Sequence, residues 1–137
     1  MTTLIVSDVH LGSYYNRARE LSAFIKSASF GRLIILGDLF DKSSIERLRD
    51  DEWELLDLVK SMSRRSEIIW VEGNHDEGLY DIIPSLLNIL AVKQFEWESN
   101  GRKFLAIHGH QFDFYSRNKS MLASCAGGLY RMLRRID

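Results

Sequence analysis

Four short runs in this chain gather residue types that bind divalent cations and move protons: Asp8-Val9-His10, Gly37-Asp38-Leu39-Phe40-Asp41, Gly73-Asn74-His75-Asp76 and His108-Gly109-His110. Asp8 and His10 are two apart, so at an extended strand end they point the same way and can chelate one ion together. Asp38 has two carboxylate oxygens and can bridge two cations, which in two-metal hydrolases lie about 3.5–4 Å apart. Asn74 offers a neutral amide oxygen to the second cation. His75 beside it is placed to work on protons, and Asp76 would hold that imidazole in a useful orientation and raise its basicity. Of the last two histidines, His108 sits directly at a strand end and is the better choice to complete the second metal. His110 is a spare ligand, a substrate contact or a polar loop residue. Asp41 either orients a ligand or caps the segment that begins at Ser43 and Ser44. The mixed oxygen and imidazole set suits manganese, iron or zinc rather than calcium.

Each run follows an aliphatic stretch, and that placement makes the set more than a coincidence of residue types. Thr3 to Ser7, Leu33 to Leu36, Ile68 to Val71 and Phe104 to Ile107 are short apolar runs without strict alternation, as expected for strands covered on both faces. A buried parallel strand delivers its last residues to the carboxyl edge of the sheet, where open α/β sheets bind their ligands. Between the first two strands, Leu21, Phe24, Ile25 and Ala28 recur at helical spacing within 17–30. Between the second and third, Leu55, Leu56, Val59 and Met62 form an apolar stripe, with Asp50 or Asp51 as cap. The run 86–91 reads as a helix, with Pro84 tolerable near its first turn. Gln94 to Trp97 alternates, Asn100-Gly101 is a two-residue turn signal, and Arg102 to Ile107 returns, which predicts an antiparallel hairpin at one side of the sheet. The stretch 114–136 reads as helical, interrupted at Gly127-Gly128. Alternating β and α elements place the fold in the α/β class.

The chain has 137 residues, 45% of them hydrophobic and 27% charged, enough for one domain with a real core and too few for two of ordinary size. No apolar run approaches the roughly 20 residues of a membrane span, and no secretory signal precedes Leu4, so a cytoplasmic location is expected. The one cysteine, Cys125, excludes an internal disulfide and a thiolate zinc cluster. Charge is lopsided: residues 1–101 hold 11 Lys and Arg against 17 Asp and Glu, and residues 102–137 hold 7 against 2. The basic tail, with Arg117, Lys119, Arg131, Arg134 and Arg135, could face an anionic substrate or lipid headgroups, or be a solvated helix face. The acidic first hundred residues weigh against nucleic acid without excluding it. No P-loop, GxGxxG or nucleophile elbow is present, which weakens kinase, dehydrogenase and serine-hydrolase readings.

Asp8-x-His10, Gly37-Asp38-x-x-Asp41 and Gly73-Asn74-His75-Asp76, in this order and spacing, resemble the successive signatures of the calcineurin-like metallophosphoesterase superfamily. The segment His108-Gly109-His110-Gln111-Phe112-Asp113 resembles the histidine-containing segment of the branch that includes UDP-2,3-diacylglucosamine diphosphatase. The resemblance implies an αββα sandwich, of which this chain would be the N-terminal part, with ligands at the C-terminal ends of the strands. It implies Asp8, His10 and Asp38 on one metal, Asp38, Asn74 and His108 on the other, and His75 assisting catalysis. Two divalent ions are the implied cofactors, manganese first, with iron or zinc as alternatives. The superfamily's later Gly-His-x-His is missing after His110, so the 137 residues are expected to form one metallophosphoesterase domain incomplete at its C-terminus, with 114–137 as a helical cap or contact segment. The expected reaction is hydrolysis of a phosphodiester or pyrophosphate bond by a two-metal-activated hydroxide, with a nucleotide-diphosphate or UDP-linked glycolipid as the substrate. Peripheral contact with the inner face of a membrane and a homo-oligomer contact are further expectations for the tail. The rivals are a catalytically silent scaffold of the same fold, and a nuclease or protein phosphatase with the same metal core.

Overall fold

The computed structural model describes residues 1–41, 44–76 and 78–112. The expected helix over 114–136, its basic residues and Cys125 lie outside the described residues.

Five-residue runs of β-branched and aliphatic side chains form the middle of the molecule. β1 (Thr3–Ser7), β2 (Arg32–Leu36), β3 (Glu67–Val71) and a short β4 (Leu90–Val92) make a parallel sheet in the order β1-β2-β3-β4. The register pairs Ile5 with Ile34 and Ile34 with Ile69, so one apolar row crosses three strands. Because side chains alternate across a strand, each sequence divides between two cores. Leu33, Ile35, Ile68 and Trp70 face the helices, whereas Ile34, Ile69 and Val71 face the opposite side. These inner residues are nearly inaccessible to water. Each such aliphatic side chain contributes roughly 1.5–3 kcal/mol by burial.

The helical face is covered by α1 (Ala18–Ser27) and α2 (Asp50–Met62). All four residues of the expected α2 stripe, Leu55, Leu56, Val59 and Met62, are buried. Its start differs from expectation: Arg49 holds the N-cap position, and the orphan N–H of Arg49 is taken by Glu52, at 2.6 Å. In α1 the inward line is Ala18, Ser22 and Ile25, and Phe24 is 52% exposed rather than part of a buried stripe. With Ala18, Ser22 and Ile25 on the buried line, Phe24 falls at the border of the helix's buried face.

The opposite face is covered by an antiparallel hairpin of β5 (Phe95–Ser99) and β6 (Arg102–Ala106), turning at Asn100-Gly101 as expected. The hairpin is a separate two-stranded sheet, stacked over the parallel sheet through Ala106, Phe95 and Trp97. Trp97 stacks on its cross-strand partner Phe104, with ring centroids 5.1 Å apart. Helices, parallel sheet and hairpin therefore form three layers of an α/β fold.

The region 86–91 is a correction. The helix there is α3 (Ile83–Leu87), with Pro84 in its first turn; Asn88, at φ 54°, ends it and leads into β4. Apolar character alone does not separate a short helix from a short buried strand. The left-handed turn at Asn88 and the open edge of β3 decide the matter.

Candidate metal centre

β1, β2, β3 and β6 lead into one edge of the molecule, and the loops after β1, β2 and β3 are bound to one another. After β1, the N–H groups of His10 and Leu11 donate to the carbonyls of Asp38 and Leu39, at 3.0 and 2.8 Å, and Asp41 N–H returns to Leu11, at 2.8 Å. The loop after β2 is joined to the loop after β3 when Asp38 Oδ1 accepts the His75 N–H at 2.9 Å, and Asp76 Oδ1 accepts the Phe40 N–H at 3.1 Å. Asp8, His10 and Asp38 have φ of 56°, 50° and 48°; the only other non-glycine residues of positive φ among the described residues are two turn asparagines, Asn88 and Asn100. Such conformations cost on the order of 1 kcal/mol each or more. Their concentration at three successive candidate ligands marks a place where side-chain position outweighs backbone comfort.

Four donor atoms face one another there. Asp8 Oδ1 and Asp38 Oδ2 lie between His10 Nε2, at 3.9 and 3.8 Å, and His108 Nε2, at 3.8 and 3.7 Å. These separations are too long for hydrogen bonds, and the donors of Asp8, Asp38 and His108 lie close enough to one another to share a cation. Asp38 is buried, and its Oδ2 looks into this group. Asp38 is common to two overlapping triads; Asp8 stands with His108 in one and His10 with His75 in the other, and Asp8 Oδ1 also lies 3.9 Å from His10 Nε2. Asn74 lies on the same loop and is exposed at the rim.

Two glycines make the approach possible. At Gly37, φ is 71° and a Cβ would overlap the His108 ring; at Gly73 a Cβ would overlap both the backbone and the carboxylate of Asp38. His108 is thereby seated against the end of β2, and its Nδ1 lies 3.1 Å from Nδ1 of His110. That contact gives His110 a position beside a candidate ligand.

His75 and Asp76 part company in the structure. The carboxylate in reach of His75 Nδ1 is Asp41, at 3.2 Å, and the His75 ring meets His10 edge-on at 4.9 Å. Asp76 is fully buried and faces elsewhere: Oδ1 accepts from Phe40 N–H, and Oδ2 from Gly73 N–H at 3.0 Å and Trp70 Nε1–H at 3.2 Å. Burial pushes the Asp76 carboxyl above the usual range, with the Asp38 charge adding to the effect, while its N–H donors pull the other way. The carboxylate beside the His75 ring is thus Asp41 rather than its sequence neighbour Asp76.

One residue of the site's support carried no recognised signal. Glu52 is fully buried and accepts from Gly12 N–H at 2.6 Å and from the Asn16 side chain as well as from Arg49. It ties the loop after β1 to the start of α2. Its place three residues after the α2 N-cap is a capping pattern, yet the partners in the 12–16 loop are remote in sequence.

The carboxylates and imidazoles gathered at the carboxyl edge of this parallel sheet are donor groups suited to a divalent metal ion. The sequence profile of the calcineurin-like phosphoesterases, described as Metallophos, matches residues 1–135, and the chain belongs to this family of metal-binding phosphoester hydrolases. Among solved structures, the chain is similar to the nuclease MPE of Pseudomonas putida, with a TM-score of 0.53 and 25% identity over 72% of this chain and 50% of that one. It shares the fold of YfcE, a phosphoesterase from E. coli, with a TM-score of 0.53 and 24% identity over 81% of this chain and 59% of the other. The chain therefore spans about half to three-fifths of the length of these two proteins. No curated protein matches it in sequence. No helix among the described residues is long and apolar enough to cross a membrane.

Proposed function

We propose that the protein is a two-metal hydrolase of phosphodiester or pyrophosphate bonds, and that residues 1–137 are the N-terminal part of one metallophosphoesterase domain. The observation that carries this reading is Asp38, a buried carboxylate whose Oδ2 lies 3.8 Å from His10 Nε2 and 3.7 Å from His108 Nε2. Asp8, His10, Asp38, Asn74 and His108 would hold the ions, with manganese as first choice and iron or zinc as alternatives. Bound there, the ions would activate a water and neutralise charge on the phosphoryl oxygens.

The chain's own residues supply orientation and proton transfer. A carboxylate only accepts, so the contact with Asp41 requires His75 to carry its proton on Nδ1. When Nε2 is also protonated, its N–H can donate to the leaving oxygen, and the Asp41 carboxylate stabilises that imidazolium. Asp76 fixes the loop that presents His75, by holding Phe40, Trp70 and Gly73 together. A nucleotide diphosphate, including a UDP-linked glycolipid, remains within this substrate class, and the likeness to a nuclease of Pseudomonas putida supports phosphodiesters.

The test is a hydrolysis assay with bis(p-nitrophenyl) phosphate, p-nitrophenyl phosphate and a nucleotide-sugar diphosphate, with and without Mn2+, alongside elemental analysis of the purified protein. Manganese-dependent turnover of the diester or diphosphate, with up to two ions per chain, is expected. Absence of bound metal together with absence of turnover overturns the proposal.

A further inference from the structure

The loop between β1 and α1 carries a feature that packing does not require. Tyr14 and Tyr15 are 85% and 82% exposed and meet edge-to-face, with ring centroids 5.2 Å apart. The loop that bears them is nonetheless firmly held. Buried Glu52 accepts from Gly12 and Asn16, Asn16 Oδ1 accepts the Ala18 N–H at 3.1 Å, and Ser13 Oγ accepts the Tyr15 N–H at 3.3 Å. A fixed loop that displays two aromatic rings to water is organised for a ligand rather than for a core.

Beside Tyr15 lies an open cleft of about 400 Å³, bordered by Asp8, Val6, Tyr15, Arg17, Leu21 and Phe24. It begins at a candidate metal ligand and runs between the edge strand β1 and α1. Phe24, half exposed on α1, supplies a second aromatic border. Among the described residues Arg17 is the one cation that borders it, and its one ion pair there is a surface contact with Glu20 at 3.3 Å. Exposed pairs of this kind are weak, so the guanidinium can turn to a phosphate.

We propose that this cleft receives the nucleoside part of a phosphodiester or diphosphate substrate, with the base against Tyr15 and the adjoining phosphate near Arg17 and Asp8. The inference rests on the phosphoester-hydrolase reading of the metal centre and names its substrate class. An acyl chain gains most from enclosure, and this cleft is open. A base gains from a single aromatic face even in an open groove, by about 5- to 150-fold in affinity. A cleft of this size also falls within the range of small-molecule sites, roughly 300–1,000 Å³.

The experiment is calorimetric titration of the full chain, with Mn2+ present, using AMP, ribose 5-phosphate and octyl phosphate. The first two carry the same phosphate and sugar, so their affinity ratio isolates the base. AMP is expected to bind at least fivefold more tightly than ribose 5-phosphate. Tyr15→Ala is expected to bring the two within twofold, and Tyr15→Phe, which keeps the ring, to preserve the preference. Equal affinities in the unaltered protein, a preference that survives Tyr15→Ala, a preference lost in Tyr15→Phe, or tighter binding of octyl phosphate than of AMP overturns the proposal. The ratio is read from binding alone, so a failure of Mn2+-dependent turnover counts against the hydrolase reading and leaves this measurement standing.

Discussion

The loops after β2 and β3 each contribute a buried aspartate, Asp38 and Asp76, and the two are used in opposite ways. Asp76 has both oxygens occupied by three N–H donors from Phe40, Trp70 and Gly73. Asp38 gives one oxygen to the His75 N–H and turns the other toward two imidazoles at 3.7 and 3.8 Å. Buried polar groups that are fully satisfied hold a structure together. One whose remaining partners stand just beyond hydrogen-bond range is built for something between them. The difference separates architecture from chemistry within two adjacent loops.

The comparison breaks most sharply at Asp38. Asp38→Ala should abolish turnover and lower metal affinity by more than the roughly 10- to 100-fold that loss of an outer partner costs; metal analysis of the purified variant checks this. Metal content equal to the parent's would remove Asp38 from the bridging place. His75→Ala should lower kcat by about 10²–10⁴, the usual worth of a positioned acid or base, with metal content almost unchanged. If metal is lost in proportion to activity, His75 belongs among the ligands, as its triad with His10 and Asp38 allows.

Asp76→Ala probes the other side of the contrast. It leaves three buried N–H donors without an acceptor and should cost about 3 kcal/mol of stability, measured by denaturant unfolding. A variant of parental stability that had lost its activity would return Asp76 to the reaction. The smallest effect is expected at Asp41. Asp41→Asn retains an acceptor for His75 and removes the charge, and should reduce kcat by about tenfold with stability unchanged.

Much of the scaffold is visible in the residue pattern, for identifiable reasons. β1, β2 and β3 are runs of branched residues too short for helices, and α2 carries a stripe that only one face can bury. The hairpin announces itself at Asn100-Gly101, where two successive residues adopt positive φ, 52° and 71°. β4 was hidden because Leu90-Ala91-Val92 follows directly on a helix of the same apolar character, and only the edge of β3 makes it a strand. Phe24 was misplaced because periodicity identifies an apolar side of a helix but not how closely that side approaches its neighbours.

The sequence by itself determined the type of chemistry: aspartates, histidines and an asparagine after successive apolar strands, in an order that matches the calcineurin-like phosphoesterases over residues 1–135. Strand periodicity and strand termini are local properties, so their consequences can be read along the chain. Only the tertiary structure decided which carboxylate serves which histidine. Asp76 is the neighbour of His75 in sequence, but the turn after β3 sends it inward to Trp70, and Asp41, 34 residues away in sequence, is brought to the imidazole instead. Hydrogen bonds are settled by direction and distance in the folded chain, and adjacency along the backbone fixes neither.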